Sequence, residues 1–536
     1  MERVLVLDFG SQYTKLIAKA VRELGVYSEV VPYDLPIEEI DRLRPKGLIL
    51  SGGPSSVYKK DAPRPDPKIF GLGVPILGIC YGMQLLAQEF GGRVAPAQAG
   101  GGRGREYGPA RLELLEPEPE PGSGPGSGPE IERDELFQGV DRSEPVWMSH
   151  GDAVVELPPE FMALARSESL PFAAIRHKSR KIYGIQFHPE VAHTPKGKEI
   201  LGNFLFRICG VRERWDPGDQ DLLEGKIASL REELQGSRAI IAVSGGVDST
   251  TAAVLVHRAI GDHLIPVYID TGLMRKGEGE RVRGLFRRLG LNLRYVEARG
   301  EFFRALRGVV DPEEKRRRIG ETFIRVFERE ARELAQEPGR IEYLVQGTIY
   351  SDVIESAGVR GARRIKSHHN VGGLPPDLNL KIVEPLREFF KDEVRKLAER
   401  LGLPPEVVWE PPFPGPGLAV RILGEVTPER VKTLQEADAI LREELAEALE
   451  PRARPWQYFV LLLPVRSVAI LGDERGYGEV VALRAVESVD GMTASWSRLP
   501  YELLERLSSR ITNEVPGVTR VVYDITSKPP GTIEWE

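Results

Sequence analysis

Cysteine is nearly absent from this chain: only Cys80 and Cys209 occur among its 536 residues. That scarcity excludes a disulfide framework, and a reducing, cytoplasmic location is the simplest expectation. Long apolar runs are missing too, and none approaches the ~18 residues a membrane span needs. The opening "MERVLVLDFG" enters a strand-like pattern at once, which leaves no room for a signal peptide. Positive charge is not in excess either. A formal net charge of -7 argues against broad nucleic-acid binding. No internal repeat is found. What remains is an ordinary globular composition, 41% hydrophobic and 29% charged, with chain enough for several cores.

The N-terminal part alternates strand-like segments (Val4–Asp8, Gly47–Ser51, Val74–Ile79) with helix-like ones (Thr14–Leu24, Met83–Phe90). Such alternation predicts a largely parallel α/β sheet covered by helices. The stretch "LEPEPEPGSGPGSGPE" at 115–130 cannot build a core and is expected to be an inert surface insertion. Polar, proline and glycine residues at Val211–Asp221 suggest a boundary. A second α/β pattern begins at Ile240, with later strands ending at Asp270-Thr271-Gly272 and spanning Tyr343–Asp352. Ligands collect at the carboxyl ends of such strands, so these ends should converge. A helix is expected over Lys391–Leu401. Beyond Leu418, strands at Tyr458–Val465, Val481–Val486 and Val518–Ile525 read as α+β. The expected architecture is α/β: two doubly wound, mostly parallel sheet domains at 1–205 and 206–400, then an α+β domain at 401–536.

In "VPILGICYGMQLLAQEF" a buried-type strand stops at Gly78 and a helix follows from Met83, with Cys80 inside Gly78-Ile79-Cys80-Tyr81-Gly82. This is the thiol counterpart of a nucleophile elbow, in which flanking glycines permit a strained turn. A lone cysteine otherwise packs as a small apolar side chain. A thiol nucleophile needs a base, and the base needs an orienter. "KIYGIQFHPEV" offers a strand, Ile182–Phe187, then His188 as base and Glu190 to fix its tautomer. Oxyanion donors would be the backbone N–H groups of Tyr81 and of Gly53 in "LILSGGPSS".

Together "LSGGP", "GICYGMQ", "WMSHGD" and "GIQFHPEV" resemble the class I glutamine amidotransferases over about residues 1–205. The resemblance implies hydrolysis of glutamine to glutamate and ammonia through a thioester on Cys80. It also implies that Gln84, Ser149 and His150 contact the glutamine.

Downstream, "RAIIAVSGGVDSTTAAVLVHRA" places a glycine-rich turn between a strand, Ile240–Val243, and a helix, Ala252–Ala259. Gly245 and Gly246 let backbone N–H groups face an anion, and the helix N-terminus adds a favourable field. Ser244, Ser249 and Thr250 offer hydroxyls. Asp248 repels phosphate, so it points to a Mg²⁺ between them. A ligand-free turn is the plain alternative. Ser244-Gly245-Gly246-Val247-Asp248-Ser249-Thr250 resembles the PP-loop of the N-type ATP pyrophosphatases. This implies cleavage between the α and β phosphates of Mg²⁺·ATP, with pyrophosphate held in the loop and no organic prosthetic group. The absent P-loop lysine is then explained, because the γ-phosphoryl group is not transferred.

"ARRIKSHHNVGGLP" (362–375) combines Arg363, Arg364, Lys366, His368 and His369 with a Gly-Gly hinge, and reads as a cationic lid over phosphates. A solvated basic loop is the bland alternative; no further ligand supports a metal site there. Asp352 and Glu355 are spaced to share a helix face, and they hold a second Mg²⁺, orient the nucleophile or form an ordinary exposed face. Near the end, "EPPFPGPGLAVR" and "SKPPGTIEWE" combine rigid prolines with Arg421, Lys528, Thr532, Ile533 and Glu534. Taken alone, these loops read as structural rather than ligand-binding.

The order of all these motifs over essentially the whole chain resembles the glutamine-dependent ligases that convert xanthosine 5'-monophosphate (XMP) to GMP. That resemblance implies an adenyl-XMP intermediate and a homodimer formed through the C-terminal domain. It also implies XMP contacts from Arg421, Lys528, Thr532, Ile533 and Glu534. Two rival readings are another PP-loop ligase such as NAD synthetase, and a non-catalytic protein with relic motifs. Intact Cys80, His188, Glu190 and Asp248 oppose the second.

Overall fold

The computed structural model describes residues 1–96, 106–115, 134–336, 341–357, 380–450, 453–471, 474–488, 491 and 493–536. The proposed insertion at 115–130, apart from Leu115, and the proposed lid with Lys366, His368 and His369 lie outside these residues. The chain divides into two compact units, Met1–Asp216 and Pro217–Glu536.

The first unit is built on a nine-stranded sheet. Its strands are β1 (Arg3–Asp8), β2 (Tyr27–Pro32), β3 (Gly47–Leu50), β4 (Ile76–Ile79), β6 (Glu106–Leu114), β7 (Ser143–His150), β9 (Phe161–Ser167), β10 (Ala174–His177) and β11 (Ile182–Ile185). Strands β5 (Arg93–Pro96) and β8 (Asp152–Glu156) pair separately. The large sheet runs β2-β1-β3-β4-β11-β10-β9-β6-β7. Its first five strands are parallel, and the remaining pairings are antiparallel. The expectation of a mostly parallel sheet therefore describes only one half. Buried parallel strands need continuous apolar runs, and "VLVL" in β1 and "GLIL" in β3 supply them. Strand order reverses between β1 and β3, so the loops after β1, β3, β4 and β11 open on one edge of the sheet.

In the second unit, β12 (Arg238–Ala242), β13 (Leu264–Asp270), β14 (Arg294–Glu297), β15 (Ile341–Val345) and β16 (Lys381–Val383) form an all-parallel sheet ordered β14-β13-β12-β15-β16. The expected strand at Tyr343–Asp352 is shorter. It ends at Val345, and a helix, Tyr350–Ala357, begins where Asp352 Oδ2 accepts the Ile349 N–H at 3.1 Å. The C-terminal part packs the helices Pro428–Ala448 and Tyr501–Glu514 with a sheet of β17 (Gln457–Leu471), β18 (Glu474–Glu487), β19 (Ser495–Trp496) and β20 (Val518–Tyr523). One continuous core joins both sheets of this unit, running from Ile240 and Leu344 through Leu418 to Val460, Leu483 and Leu507.

The helix after β4 starts at Tyr81, two residues before the expected Met83, which leaves Cys80 as its N-cap at φ 53°. This tight turn depends on two missing side chains. A Cβ on Gly82 would lie 2.4 Å from the Leu50 carbonyl oxygen, and one on Gly78 would lie 2.5 Å from the Gly82 carbonyl carbon. Gly82→Ala should therefore lower stability by at least about 2 kcal/mol and visibly lower Tm in thermal unfolding of the full chain. Gly71→Ala, whose Cβ would meet nothing within 4 Å, is the control and should leave Tm nearly unchanged.

Candidate active site

In the first unit a cavity at the sheet's carboxyl edge is lined by Cys80, Gln84, Ser149, His150, Gly53 and His188, among others. Cys80 reaches it because its positive φ lifts the side chain out of the β4 direction. The thiol donates to the Ser149 carbonyl at 3.6 Å and accepts from Gln186 Nε2 at 3.6 Å. His188 follows β11, is almost fully buried, and has its ring Nδ1 2.8 Å from Glu190 Oε1. Its backbone is fixed as well: the N–H donates to the Trp147 carbonyl at 3.0 Å, and its carbonyl accepts from Thr194 Oγ1 at 2.7 Å. Tyr13 packs edge-on against the imidazole.

Electrostatics poise this histidine. Burial alone would push its pKa down, but the Glu190 carboxylate and the facing Cys80 thiol outweigh burial and hold it well above the ordinary histidine value. The two predicted oxyanion donors flank the elbow. Tyr81 occupies the first helical position, where an N–H has no intrahelical acceptor. Gly53 packs so closely on the Phe9 carbonyl oxygen, 2.8 Å from a built Cβ, that only glycine fits.

Gln84 Nε2 donates to the Asp152 carbonyl at 2.8 Å, so part of its amide is committed within the protein. The His150 ring is buried 3.3 Å from Glu106 Oε2. Burial raises the Glu106 carboxyl, yet His150 and Ser169 together leave its pKa below the ordinary value. Sequence reasoning assigned no role to Gln186 or Glu106. Gln186 stands two residues before His188, the strand repeat that sends alternate side chains to one face.

In the second unit the loop Ser244–Thr250 follows β12, with Gly246 capping the helix Val247–Ile260. Ser244 Oγ and Ser249 Oγ are 3.2 Å apart, and Ser244 Oγ accepts the Gly246 N–H at 3.3 Å. Val247 and Thr250 are buried, so of the three loop hydroxyls those of Ser244 and Ser249 stand nearer the surface. Gly245 has φ +81°, and its built Cβ would lie 2.5 Å from Val282 Cγ2. The loop after β15 meets this one, since a Cβ on Gly347 would lie 3.3 Å from the Ser249 nitrogen. Asp248 Oδ2 pairs with Lys391 Nζ at 2.5 Å, while its buried Oδ1 has no hydrogen-bond partner. Lys391 was not foreseen as a site residue: 143 positions separate it from Asp248. Asp352 caps its own helix, and the side chain of Glu355 lies outside the described residues.

The C-terminal tail is held by buried cations. Arg421 is fully buried and forked onto Glu534, with Nε–Oε2 at 3.2 Å and Nη2–Oε1 at 2.8 Å. Two nitrogens of Arg421, an expected nucleotide contact, are thus engaged by Glu534, while its buried Nη1 has no hydrogen-bond partner. Gln457 Nε2 also donates to Glu534 at 2.9 Å. Ile533 is buried in a small apolar cluster with Phe459 and Leu461. Thr532 Oγ1 donates to the Glu534 carbonyl, and Lys528 Nζ donates to the Gly491 carbonyl at 2.7 Å. Arg484, unmarked in the sequence, is fully buried and donates to the Thr526, Thr532 and Ile533 carbonyls.

Residues 5–208 match the family model for glutamine amidotransferase class-I, and residues 444–535 match that for the GMP synthase C terminal domain. Amidotransferase and synthetase parts in one chain define a glutamine-dependent carbon–nitrogen ligase. Curated relatives named GMP synthase [glutamine-hydrolyzing] match throughout. That of Aquifex aeolicus (strain VF5) is 54% identical over 534 residues, covering 99% of both chains. Those of Thermosynechococcus vestitus and Carboxydothermus hydrogenoformans are 53% and 52% identical, covering 99% and 100% of this chain and 96% and 99% of theirs. The chain belongs to the glutamine-hydrolysing GMP synthase family, which sets aside the NAD synthetase alternative.

The raised His188 pKa carries a sign for stability. A folded value above the unfolded one stabilises fully below about 6.5, and this contribution is lost as pH rises through the folded value. Glu190→Gln removes the carboxylate that raises it. The Tm gap between wild type and variant should be widest near about pH 6 and should narrow at alkaline pH, as measured by thermal unfolding of the full chain.

Proposed function

We propose that the residues above divide the work of glutamine-dependent GMP synthesis between two chemistries, and that the observation carrying the first is Cys80 facing a His188 held by Glu190. His188 takes the thiol proton as Cys80 sulfur attacks the carboxamide carbon of glutamine. The tetrahedral oxyanion is met by the N–H groups of Tyr81 and Gly53. His188 returns the proton to the leaving nitrogen, ammonia departs, and a thioester remains on Cys80. Water activated by the same imidazole then releases glutamate. Gln84, Ser149 and His150, which share the cavity, bind and orient the glutamine.

In the second unit the loop Ser244–Thr250 binds the phosphates of ATP. The C2 oxygen of XMP attacks the α-phosphorus, the bond to the β-phosphate oxygen breaks, and pyrophosphate leaves into the loop. Ammonia then adds at C2 of adenyl-XMP and AMP departs, giving GMP. The unpartnered Asp248 Oδ1 suits a divalent cation, and no cluster of three metal-ligating side chains occurs among the described residues. Such a combination fits Mg²⁺ shared between phosphates and one carboxylate, where it would neutralise charge on the departing pyrophosphate. Glu534, Thr532 and Lys528 hold XMP, with Arg421 positioning Glu534. The lid residues Lys366, His368 and His369 complete the phosphate site. Domain limits near 205 and 400 separate glutaminase, ATP pyrophosphatase and C-terminal parts.

A homodimer through the C-terminal domain is supported by the outer half of the β17–β18 hairpin, where Val465, Val468, Ile470 and Tyr477 are exposed. A cytoplasmic location is supported by two free thiols. No helix among the described residues is long and apolar enough to cross a membrane.

Product analysis with ATP, XMP and amide-labelled glutamine tests the whole reading; label should appear in GMP, with AMP and pyrophosphate as co-products. Cys80→Ala should abolish glutamine-dependent synthesis and keep synthesis from added ammonium, and loss of both would break the division of labour. Asp248→Asn should cut AMP formation by about 100-fold or more, a plausible scale for one electrostatic contact to a leaving group. Glutaminase chemistry should survive at least in part, as read by glutamate release.

A further inference from the structure

Between the phosphate loop and Glu534 of the C-terminal tail, the second unit holds a chain of paired charges to which the proposed function gives no role. Arg281 lies against the loop, its Nη2 3.4 Å from a Cβ built on Gly245. It pairs with Glu278 at 2.6 Å and with Glu410 Oε2 at 3.1 Å. The other oxygen of Glu410 accepts from Arg275 Nη1 at 2.9 Å. The Arg275 guanidinium sits 4.5 Å from the Phe413 ring centroid, and that of Arg421 sits 5.1 Å from the same ring. Arg421 in turn forks onto Glu534. Glu410 and Phe413 belong to the proline-rich "EPPFPGPG" segment, whose backbone has little freedom.

The middle of this chain is buried, whereas its ends at Arg281 and Glu534 are part-exposed, with side chains 28% and 21% exposed. Arg275 and Glu278 are each 6% exposed, and Asp438, 3.7 Å from Arg275 Nε, is 2% exposed. Arg442 adds a weaker approach to Glu410 at 3.9 Å. Buried charges are held in discrete, paired arrangements, because leaving one unpaired costs several kcal/mol (about 3–5). A shift of Arg281 at the loop therefore has to be matched at Glu410, and through Arg275 and the shared ring at Arg421.

We propose that Glu410 is a positioning residue that couples the two nucleotide sites, so that occupation of the phosphate loop sets the orientation of Glu534 toward XMP. The proposal rests on the assignment of ATP to the loop and of XMP to the tail. It requires that an ATP analogue change the affinity for XMP, and by linkage that XMP change the affinity for the analogue by the same factor.

The test is calorimetric binding of XMP to the full chain, with and without a non-hydrolysable ATP analogue and Mg²⁺. Wild type should show a change of about fivefold or more. In Glu410→Gln, nearly isosteric but uncharged, the factor should fall below about twofold, and Glu410→Asp should restore part of it. Phe413→Leu, which removes the shared ring without touching a charge, should have the same effect. Each variant's Tm establishes that it is folded. An unchanged factor in both Glu410→Gln and Phe413→Leu, or no factor in wild type, would overturn the coupling. Failure of the underlying assignment reads differently: Asp248→Asn would then leave ATP affinity unmoved, or Glu534→Gln would leave XMP affinity unmoved.

Discussion

The turn from a parallel strand into a helix, drawn so tight that no side chain fits at its glycines, is the constraint on which both proposed sites depend. After β4 the backbone of Gly82 is pressed on the Leu50 carbonyl, and Cys80 takes a positive φ that no neighbour relieves. After β12 the corresponding close approach is that of Gly245 to Val282. In each case the helix behind the turn has N–H groups in its first turn without intrahelical acceptors. One turn then carries a thiol and the other carries hydroxyls and a carboxylate. Under the proposed function the same geometry serves a covalent step in one unit and an electrostatic one in the other.

Buried cations perform the complementary task of fixing segments that have no regular secondary structure of their own. Arg484 collects three carbonyls of the tail, Arg421 holds its Glu534, and Lys315 Nζ donates to the Ile422 carbonyl at 2.7 Å and meets Glu536 at 2.5 Å. Prolines and short loops cannot satisfy their carbonyls through a ladder, and an enclosed guanidinium with five donors does so from one position. The cost of dehydrating these charges is offset by pairing: Arg484 and Lys315 have several partners, and Arg421 is forked onto one carboxylate. Neutral substitution at any of them would release the tail as well as a charge.

Local chemistry was legible in the sequence, and distant pairing was not. Cys80 stood out as a candidate from five consecutive residues, and His188 with Glu190 from three, and the structure brings the three together. The parallel half of the first sheet was readable because β1, β3 and β4 are short apolar runs. The antiparallel half was not, since the sheet partners of β6, β7 and β9 are decided by tertiary packing. Arg421 illustrates the limit. From sequence it is a cation beside a ligand motif, and nothing local announces that its partner, Glu534, stands 113 residues away.

The phosphate loop shows how such a distant pairing alters a local inference. A carboxylate at a site for phosphates is unfavourable unless a cation stands between them, and sequence alone offers only a metal ion. The structure adds Lys391, brought to Asp248 by the start of the helix Lys391–Arg400. Only one oxygen of the carboxylate is engaged by it, which leaves the other for a divalent ion. The loop thus lacks a lysine within its own seven residues but not at its edge. Under the proposed function, positive charge at that edge suits a departing pyrophosphate, because a lysine paired to the loop's own aspartate is oriented in advance.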